Sequence, residues 1–288
     1  MSIHLFTQIA QYKMWLYHKG IMPQTIHNYE DKVTRILGYF EEVGITEVND
    51  ITTDVIPIIE TWLLDRGLGY GSRRAYLVVF KSFLSYLKQS NLIMFDIGLK
   101  IRMPKVFIKM RKVLSVDEVK ELLALPDKTT EKGMRDYLIL SLLYITGVRA
   151  GELSKIMVSD LDFRQRSIFI EGKGGHERRV FFTVELATDL KKFIEAHCDH
   201  ILFPEVSSHK VSKLATKYLE KAGLDSTGAH TFRFTIATHM FERGVNPRLI
   251  QTMLGHKYLR ETFYYIRPDT DYLKSLHTQY HPFQRGFL

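Results

Sequence analysis

Apolar residues recur at helical spacing through most of the chain. Phe6, Ile9, Tyr12, Trp15 and Leu16 mark a first helix. Thr25 to Phe40 reads as a second, followed by Gly44. Thr53 is placed to cap a third that runs through Ile56, Ile59 and Leu63 to Gly67. Ser72 is placed to cap a fourth, Arg73 to Gln89, with an apolar line of Leu77, Phe80, Leu84 and Leu87. The period breaks over 101–113, where Pro104 and five basic side chains stand without order. It resumes at Ser115-Val-Asp-Glu118, a capping-box signature, and predicts helices at 116–124 and 132–146. Alternation then replaces it. Residues 167–171 and 178–183 are rich in β-formers and flank Gly172-Lys-Gly-Gly175, the composition of a hairpin connection. Helices return at 184–197, 208–222 and 229–243, the last ended by Gly244. Asn246 and Pro247 open another that Gly255 closes, and a final helix must stop near Arg267, before Pro268.

This pattern predicts a mainly α chain with a small antiparallel β-sheet in its second half. Its divisions are a helical domain over 1–100, a linker over 101–113, a second domain over 114–270 and a tail over 271–288. The tail is mixed aromatic and apolar, with Tyr272, Leu273, Leu276, Phe283 and Leu288. Of the 288 residues 45% are hydrophobic, enough for real cores. Forty Lys and Arg against 32 Asp and Glu give a net charge of +8, a surplus that suits a polyanion partner without requiring one. A single cysteine, Cys198, has no internal partner for a disulfide, which points to a reducing cytosol. The start, MSIHLFTQIAQYK, lacks the pattern of a signal peptide. The apolar run from Tyr137 to Gly147 falls short of the roughly 20 residues a membrane span needs, so it reads as a buried helix.

Candidate chemistry lies in the second half. Arg149, Lys173, His230, Arg233, His256 and Tyr265 sit in TGVRAGEL, EGKGGHERRV, AHTFRF, MLGHKYL and ETFYYIRP. Five of the six are cationic or imidazole-bearing residues of the kind that hold phosphate, and carboxylate or metal-ligand clusters are missing from the set. Cations plus one phenol suit metal-free attack on a phosphodiester, with arginines on the phosphate oxygens and a tyrosine hydroxyl as nucleophile. His230 and Arg233 are three apart and share a helix face. Glycine before Arg149 lets the chain turn and expose it, and Glu152 is either its partner or an orienting group. Lys173 lies in a glycine-flanked turn, the place for an ordinary exposed lysine or for a mobile general acid. Arg178 and Arg179 are too weakly acidic for that role. Tyr264 and Tyr265 point about 100° apart on a helix, so only one of them faces the phosphate. In the first half Arg74, Lys81 and Lys88 repeat every seven residues, beside Arg73. They form either a solvated face or a surface laid against DNA phosphates.

On these motifs the chain resembles tyrosine recombinases of the phage-integrase and Xer type. TGVRAGEL resembles the box of the first arginine, and GKGGHERRV the hairpin that carries the lysine. The segment HTFRFTIATHMFERGVNPRLIQTMLGHKYLRETFYYI resembles the His-x-x-Arg, Leu-Gly-His and tyrosine run. The resemblance spans nearly the whole chain. It implies a helical core-binding domain of the SAM-like type and a catalytic domain that together clamp duplex DNA. It implies that Arg149 and Arg233 grip the scissile phosphate and that Lys173 protonates the departing 5′ oxygen. His230 would assist proton transfer and His256 would hydrogen-bond the phosphate. Tyr265, selected by the family's nine-residue gap, would form a 3′-phosphotyrosyl link. Arg73, Arg74, Lys81 and Lys88 become candidate DNA contacts. No cofactor, metal or ATP is expected. The implied partners are double-stranded DNA with a specific recombination site and a homotetramer on two sites, a dimer per site, passing through a Holliday junction. The tail would dock on a neighbouring protomer. The expected setting is cytoplasmic and nucleoid-associated, with no membrane. Chromosome dimer resolution and element integration, excision or inversion stay open. The other readings are a type IB topoisomerase-like relaxation and a catalytically silent DNA-binding protein. Phe234 stands where the family often has histidine, which implies a packing change, and the stretch from Arg149 to His230 is short for the family.

Overall fold

The computed structural model describes residues 3–105, 113–172, 177–197, 200–225, 228–265 and 270–280. The chain divides into two compact units, one ending at Lys109 and the other beginning at Met110.

The first unit is four helices, α1 (Gln8–His18), α2 (Pro23–Glu42), α3 (Val55–Asp65) and α4 (Tyr70–Gln89). Their apolar stripes meet in one core, where Tyr12, Val33, Ile36, Phe40, Phe80 and Phe83 are fully buried. Aromatic edges fix the contacts, with Phe40 against Phe80 at 5.6 Å and Tyr12 against Phe83 at 5.3 Å. The helix starts differ from expectation. α2 begins two residues early at Pro23, whose fixed φ suits a first helical position. Asp54, not Thr53, precedes α3, and no side chain caps it. Gly69, with extended backbone, precedes α4, so Ser72 lies inside the first turn and caps nothing.

After α4 the chain runs back along the same helix. Ser85 donates to Asp96 Oδ2 at 2.9 Å, and Ile97–Lys100 forms a 3₁₀ turn. Ile101 is buried in the core of the first unit, and Met103 packs against it. Within 101–113, residues 106–112 lie outside the described residues.

The second unit opens with α5 (Val116–Ala124), whose capping box forms as read: Ser115 Oγ accepts from the Glu118 amide at 3.1 Å, and Glu118 accepts from the Ser115 amide at 2.8 Å. The central helix is α6 (Glu131–Thr146). Leu138, Ile139, Leu140, Leu142 and Leu143 are all buried, which accounts for the apolar run in that stretch. A short helix, α7 (Ala150–Leu153), leads to a three-stranded antiparallel sheet of β1 (Leu161–Asp162), β2 (Ser167–Glu171) and β3 (Glu177–Phe181), in that order. Ile168 faces Val180 and Ile170 faces Arg178. The sequence predicts only the last two strands, the second of them starting one residue late and ending two residues late. The Lys173 to Gly175 part of the connection lies outside the described residues.

Five of the remaining six helices pack around this centre: α8 (Val184–His197), α9 (Ser208–Lys221), α10 (His230–Glu242), α11 (Pro247–Leu254) and α12 (Leu259–Tyr265). A small cluster of Ile236, Ala237, Ile250 and Leu254 joins α10 to α11. The sixth is α13 (Thr270–Tyr280), where the sequence pattern shows only a mixed aromatic and apolar tail over 271–288. Tyr272 anchors it, with its ring against Phe241 at 5.6 Å and its hydroxyl donating to the Phe241 carbonyl at 3.2 Å, while Leu273 is exposed. Cys198, Arg267 and Pro268, and the tail residues Phe283 and Leu288, lie outside the described residues. Among the described residues no helix is long and apolar enough to cross a membrane.

Candidate active site

Two glycines turn the chain at the two ends of the site. Gly147 ends α6 with φ +63° and Gly255 ends α11 with φ +64°, conformations that other residues adopt at a cost. The first turn makes Arg149 the residue that precedes α7. Its backbone N–H donates to Glu152 Oε2 and its Nη1 to Glu152 Oε1, each at 2.8 Å. Its Nη2 reaches the Gly255 carbonyl at 3.4 Å, and 36% of the side chain remains exposed.

Arg233 enters from α10. It is almost wholly buried, yet it is charged, and backbone carbonyls receive it. Nη1 donates to Gly147 O and Nη2 to Leu254 O, both at 2.5 Å. His230 opens the same helix and is exposed to solvent. The shared face predicted for the pair therefore has one deep member and one at the surface.

His256 follows Gly255 and is buried. Its Nδ1 and Thr262 Oγ1 share a hydrogen bond of 2.8 Å, which ties the ring to α12, and Gln251 Nε2 donates to its carbonyl at 3.1 Å. Burial pushes the imidazole down to about 3, and the charges of Arg233, Arg149 and Arg178 push the same way. At neutral pH the ring is uncharged and acts as a hydrogen-bonding group. Tyr264 and Tyr265 end α12 two and three residues past Thr262, and their side chains lie outside the described residues. Lys173 does too.

Glu152 is the only carboxylate in hydrogen-bond contact with these arginines among the described residues. Burial opposes its charge, but hydrogen bonds from Arg178 and the Arg149 amide, with both guanidinium charges, override burial and take it down to about 2. The alternatives of partner and orienting group are compatible, because Glu152 holds Arg149 through both its amide and its guanidinium.

Arg178 is the residue that sequence reasoning set aside. It projects from β3, and only 6% of its side chain is exposed. Nη1 and Nη2 straddle the Glu152 carboxylate at 3.1 and 2.8 Å, and Nε donates to Met253 O at 3.0 Å. Three successive carbonyls at the end of α11, those of Met253, Leu254 and Gly255, thus accept from Arg178, Arg233 and Arg149 in turn. A helix C-terminus leaves its last carbonyls unbonded and carries partial negative charge, so it is a natural seat for cations. Three guanidinium groups against one carboxylate leave net positive charge beside a neutral histidine. That arrangement suits an anion with several acceptor oxygens, such as a phosphodiester. Phe234, beside Arg233, is buried and contributes to packing. Among the described residues no group of three or more His, Cys, Asp or Glu is placed to hold a metal ion.

The candidate DNA contacts of the first unit are engaged within it. Lys88 Nζ donates to Met94 O at 2.7 Å, and Arg74 Nη1 reaches Pro104 O at 3.5 Å. The Lys81 stem lies beside Gly98, where an added Cβ would be 3.1 Å from Lys81 Cγ. The heptad face therefore meets the returning segment 94–104. Arg73 lies over the Tyr70 ring at 4.6 Å.

Comparison with known proteins matches the same two halves. Residues 112–271 match the phage integrase family, and residues 9–91 match the phage integrase N-terminal SAM-like domain. Tyrosine recombinase XerC 2 of Ralstonia nicotianae is 29% identical over 91% of this chain and 82% of its own length. Tyrosine recombinase XerD of Staphylococcus epidermidis is 29% identical over 92% of this chain and 94% of its own. Among solved structures, a lambda integrase dimer bound to a core site superposes with a TM-score of 0.74 at 20% identity, over 92% of this chain and 78% of that one. The Tn1549 transposon integrase in complex with a circular intermediate DNA gives 0.72 at 16% identity, over 94% and 98%. The fold is shared with these proteins, and the chain belongs to the phage integrase family.

Proposed function

We propose that this protein is a site-specific DNA recombinase that cuts and rejoins strands through a 3′-phosphotyrosyl intermediate. The observation that carries the reading is the meeting of Arg149, Arg233 and His256 at the end of α11, with Tyr265 at the end of the next helix. In this reading the two arginines hold the non-bridging oxygens of the scissile phosphate, and the neutral His256 ring donates a hydrogen bond. The Tyr265 hydroxyl gives its proton to His230 and attacks phosphorus. The bond to the 5′ oxygen breaks as Lys173 delivers a proton to it. Attack by a 5′ hydroxyl of the exchanged strand reverses each step, and the phosphotyrosyl ester conserves the bond energy. A preorganised charge of this kind contributes roughly a hundred- to thousandfold in rate.

The names of the relatives support recombination, and the DNA complexes among the structural neighbours support duplex DNA as partner. We extend this to a core-binding domain over 1–100 and a catalytic domain over 114–270 that clamp one recombination site, with Arg73, Arg74, Lys81 and Lys88 toward its phosphates. A dimer per site and a homotetramer on two sites exchange strands through a Holliday junction, with segment 271–288 docking on a neighbour. The lambda integrase structures, a dimer on a core site and a tetramer on a Holliday junction, support that assembly. The setting is the cytoplasm, at the nucleoid. A nicked suicide duplex carrying the cognate site tests the reading. Tyr265→Phe abolishes covalent capture and Tyr264→Phe retains it. Capture that survives Tyr265→Phe defeats the assignment, and relaxation of supercoils without any sequence requirement defeats the recombinase.

A further inference from the structure

We propose that Arg178 is a positioning residue of the phosphate site: it fixes where Arg149 stands by holding Glu152 and the end of α11 together. The inference rests on the strand-exchange reading above and assigns a role to a residue that reading does not use.

The strand register makes Arg178 an anomaly. It pairs with Ile170 across the sheet, and two residues on lies Val180, so it occupies the inward face, where its neighbours are buried aliphatic side chains. An aliphatic residue would satisfy that position if packing were the only demand, because a buried ion pair seldom stabilises more than a well-packed apolar group. Instead an arginine stands there, and each of its three nitrogens is used. The fork takes one hydrogen bond to each Glu152 oxygen, and Nε takes the Met253 carbonyl. The backbone makes room for it as well. A Cβ on Gly255 would lie 3.0 Å from both Cδ and Nη1 of Arg178, so glycine is needed there for close approach as well as for its positive φ.

The consequence falls on Arg149. Each Glu152 oxygen accepts once from Arg149 and once from Arg178. Arg178 therefore occupies the carboxylate from one side and leaves Arg149 bound from the other, with part of its guanidinium open to solvent. Without Arg178 the carboxylate turns to Arg149 alone and competes with a phosphate for the same donors. The last turn of α11 also loses its tie to the sheet, and with it the fixed position of Leu254 O, which receives Arg233. Arg178 itself is too deeply buried to touch DNA.

The test uses the full-length protein and a nicked suicide duplex. Arg178→Met and Arg178→Lys are compared with wild type in duplex binding, in single-turnover cleavage and in the pH dependence of cleavage. Binding stays within about threefold, because no phosphate contact is removed. Cleavage falls at least tenfold in Arg178→Met, and also falls in Arg178→Lys, because an ammonium cannot form the fork. Glu152→Gln in the Arg178→Met background loses little more, since the two residues act as a unit. The charged and titratable groups facing Glu152 in the Met variant are Arg149 and His256, and its carboxyl moves up toward its ordinary range. The Met variant therefore departs from the wild-type pH profile below about pH 5: as that carboxyl takes a proton it stops competing for Arg149, and the gap between the two proteins narrows. Cleavage by Arg178→Met within threefold of wild type with the same pH profile overturns the proposal. Equal loss of binding, cleavage and thermal stability in both variants overturns it too, and leaves Arg178 as a folding residue. A wild-type protein that forms no adduct on its cognate duplex instead overturns the strand-exchange reading.

Discussion

Glu152→Gln tests the electrostatics of the site through stability alone. The carboxylate is buried between Arg149 and Arg178, and the substitution leaves two guanidinium groups without their anion. Breaking a buried pair on one side costs about 3–5 kcal/mol. Linkage gives a second measure. Lowering the carboxyl from 4.5 to about 2 on folding corresponds to about 3 kcal/mol at neutral pH, in keeping with the first figure. The sign is fixed by the direction of the change. The folded carboxyl ionises at lower pH than the unfolded one, so its contribution is whole above about pH 4.5 and fades as the pH falls toward 2. Urea unfolding of both proteins at a series of pH values reads the difference, with equal slopes required for comparison. The wild type should exceed the variant by about 3–5 kcal/mol at pH 7, and by less than half of that at pH 3. A gap under about 1 kcal/mol at pH 7, or one that does not shrink on acidification, refutes the reasoning.

Other consequences follow from single residues. His256 is held neutral when folded, down to about 3, while the unfolded ring takes its proton near 6.5, so wild-type stability declines as pH falls from 6.5 toward 3; His256→Asn should flatten the upper part of that decline in the same urea series. Gly147→Ala combines a left-handed backbone with a Cβ 2.5 Å from Leu254 Cδ2, and should destabilise by about 2–4 kcal/mol in thermal unfolding; a loss under 1 kcal/mol contradicts the packing. If the α4 basic face reaches DNA, replacing Arg74 and Lys81 by alanine flattens the salt dependence of binding by up to about 0.9 in log–log slope per contact, and an unchanged slope confines both side chains to holding the returning segment 94–104.

The elements that were legible in the sequence are those with strong local causes. The run from Leu138 to Leu143 is a buried helix because nothing in it faces water, and the Ser115 box forms because both its bonds are local. Gly147 and Gly255 announce their turns because each turn needs a positive φ. The helix starts at Gly69 and Asp54 were missed for the converse reason: no side chain caps either helix, so nothing local marks the start. β1, at two residues, is too short to show alternation, and it exists only because β2 offers it a partner. In α13 the pair Tyr272 and Leu276 has helical spacing, yet Tyr272 is anchored by Phe241, a residue far away in the chain. Within the site, Arg149, Arg233 and His256 could be named from their motifs. Their convergence on the carbonyls of 254 and 255 and on Thr262 could not, since the chain distances involved are not local. Arg178 stood beside Arg179 with the same chemistry. Only the register opposite Ile170 decides which of the two turns inward, and alternation with Val180 was the signal that pointed to it.

The most direct test of the central claim is the chemical nature of the trapped complex. Wild-type protein is incubated with a nicked duplex bearing its site, the adduct is digested with protease, and the DNA-linked peptide is sequenced by mass spectrometry while the freed strand end is labelled. The account predicts a 3′-phosphate ester on Tyr265 and a free 5′ hydroxyl on the released strand. A link to Tyr264, a 5′-phosphate on the released strand, or cleavage with no protein attached would contradict it.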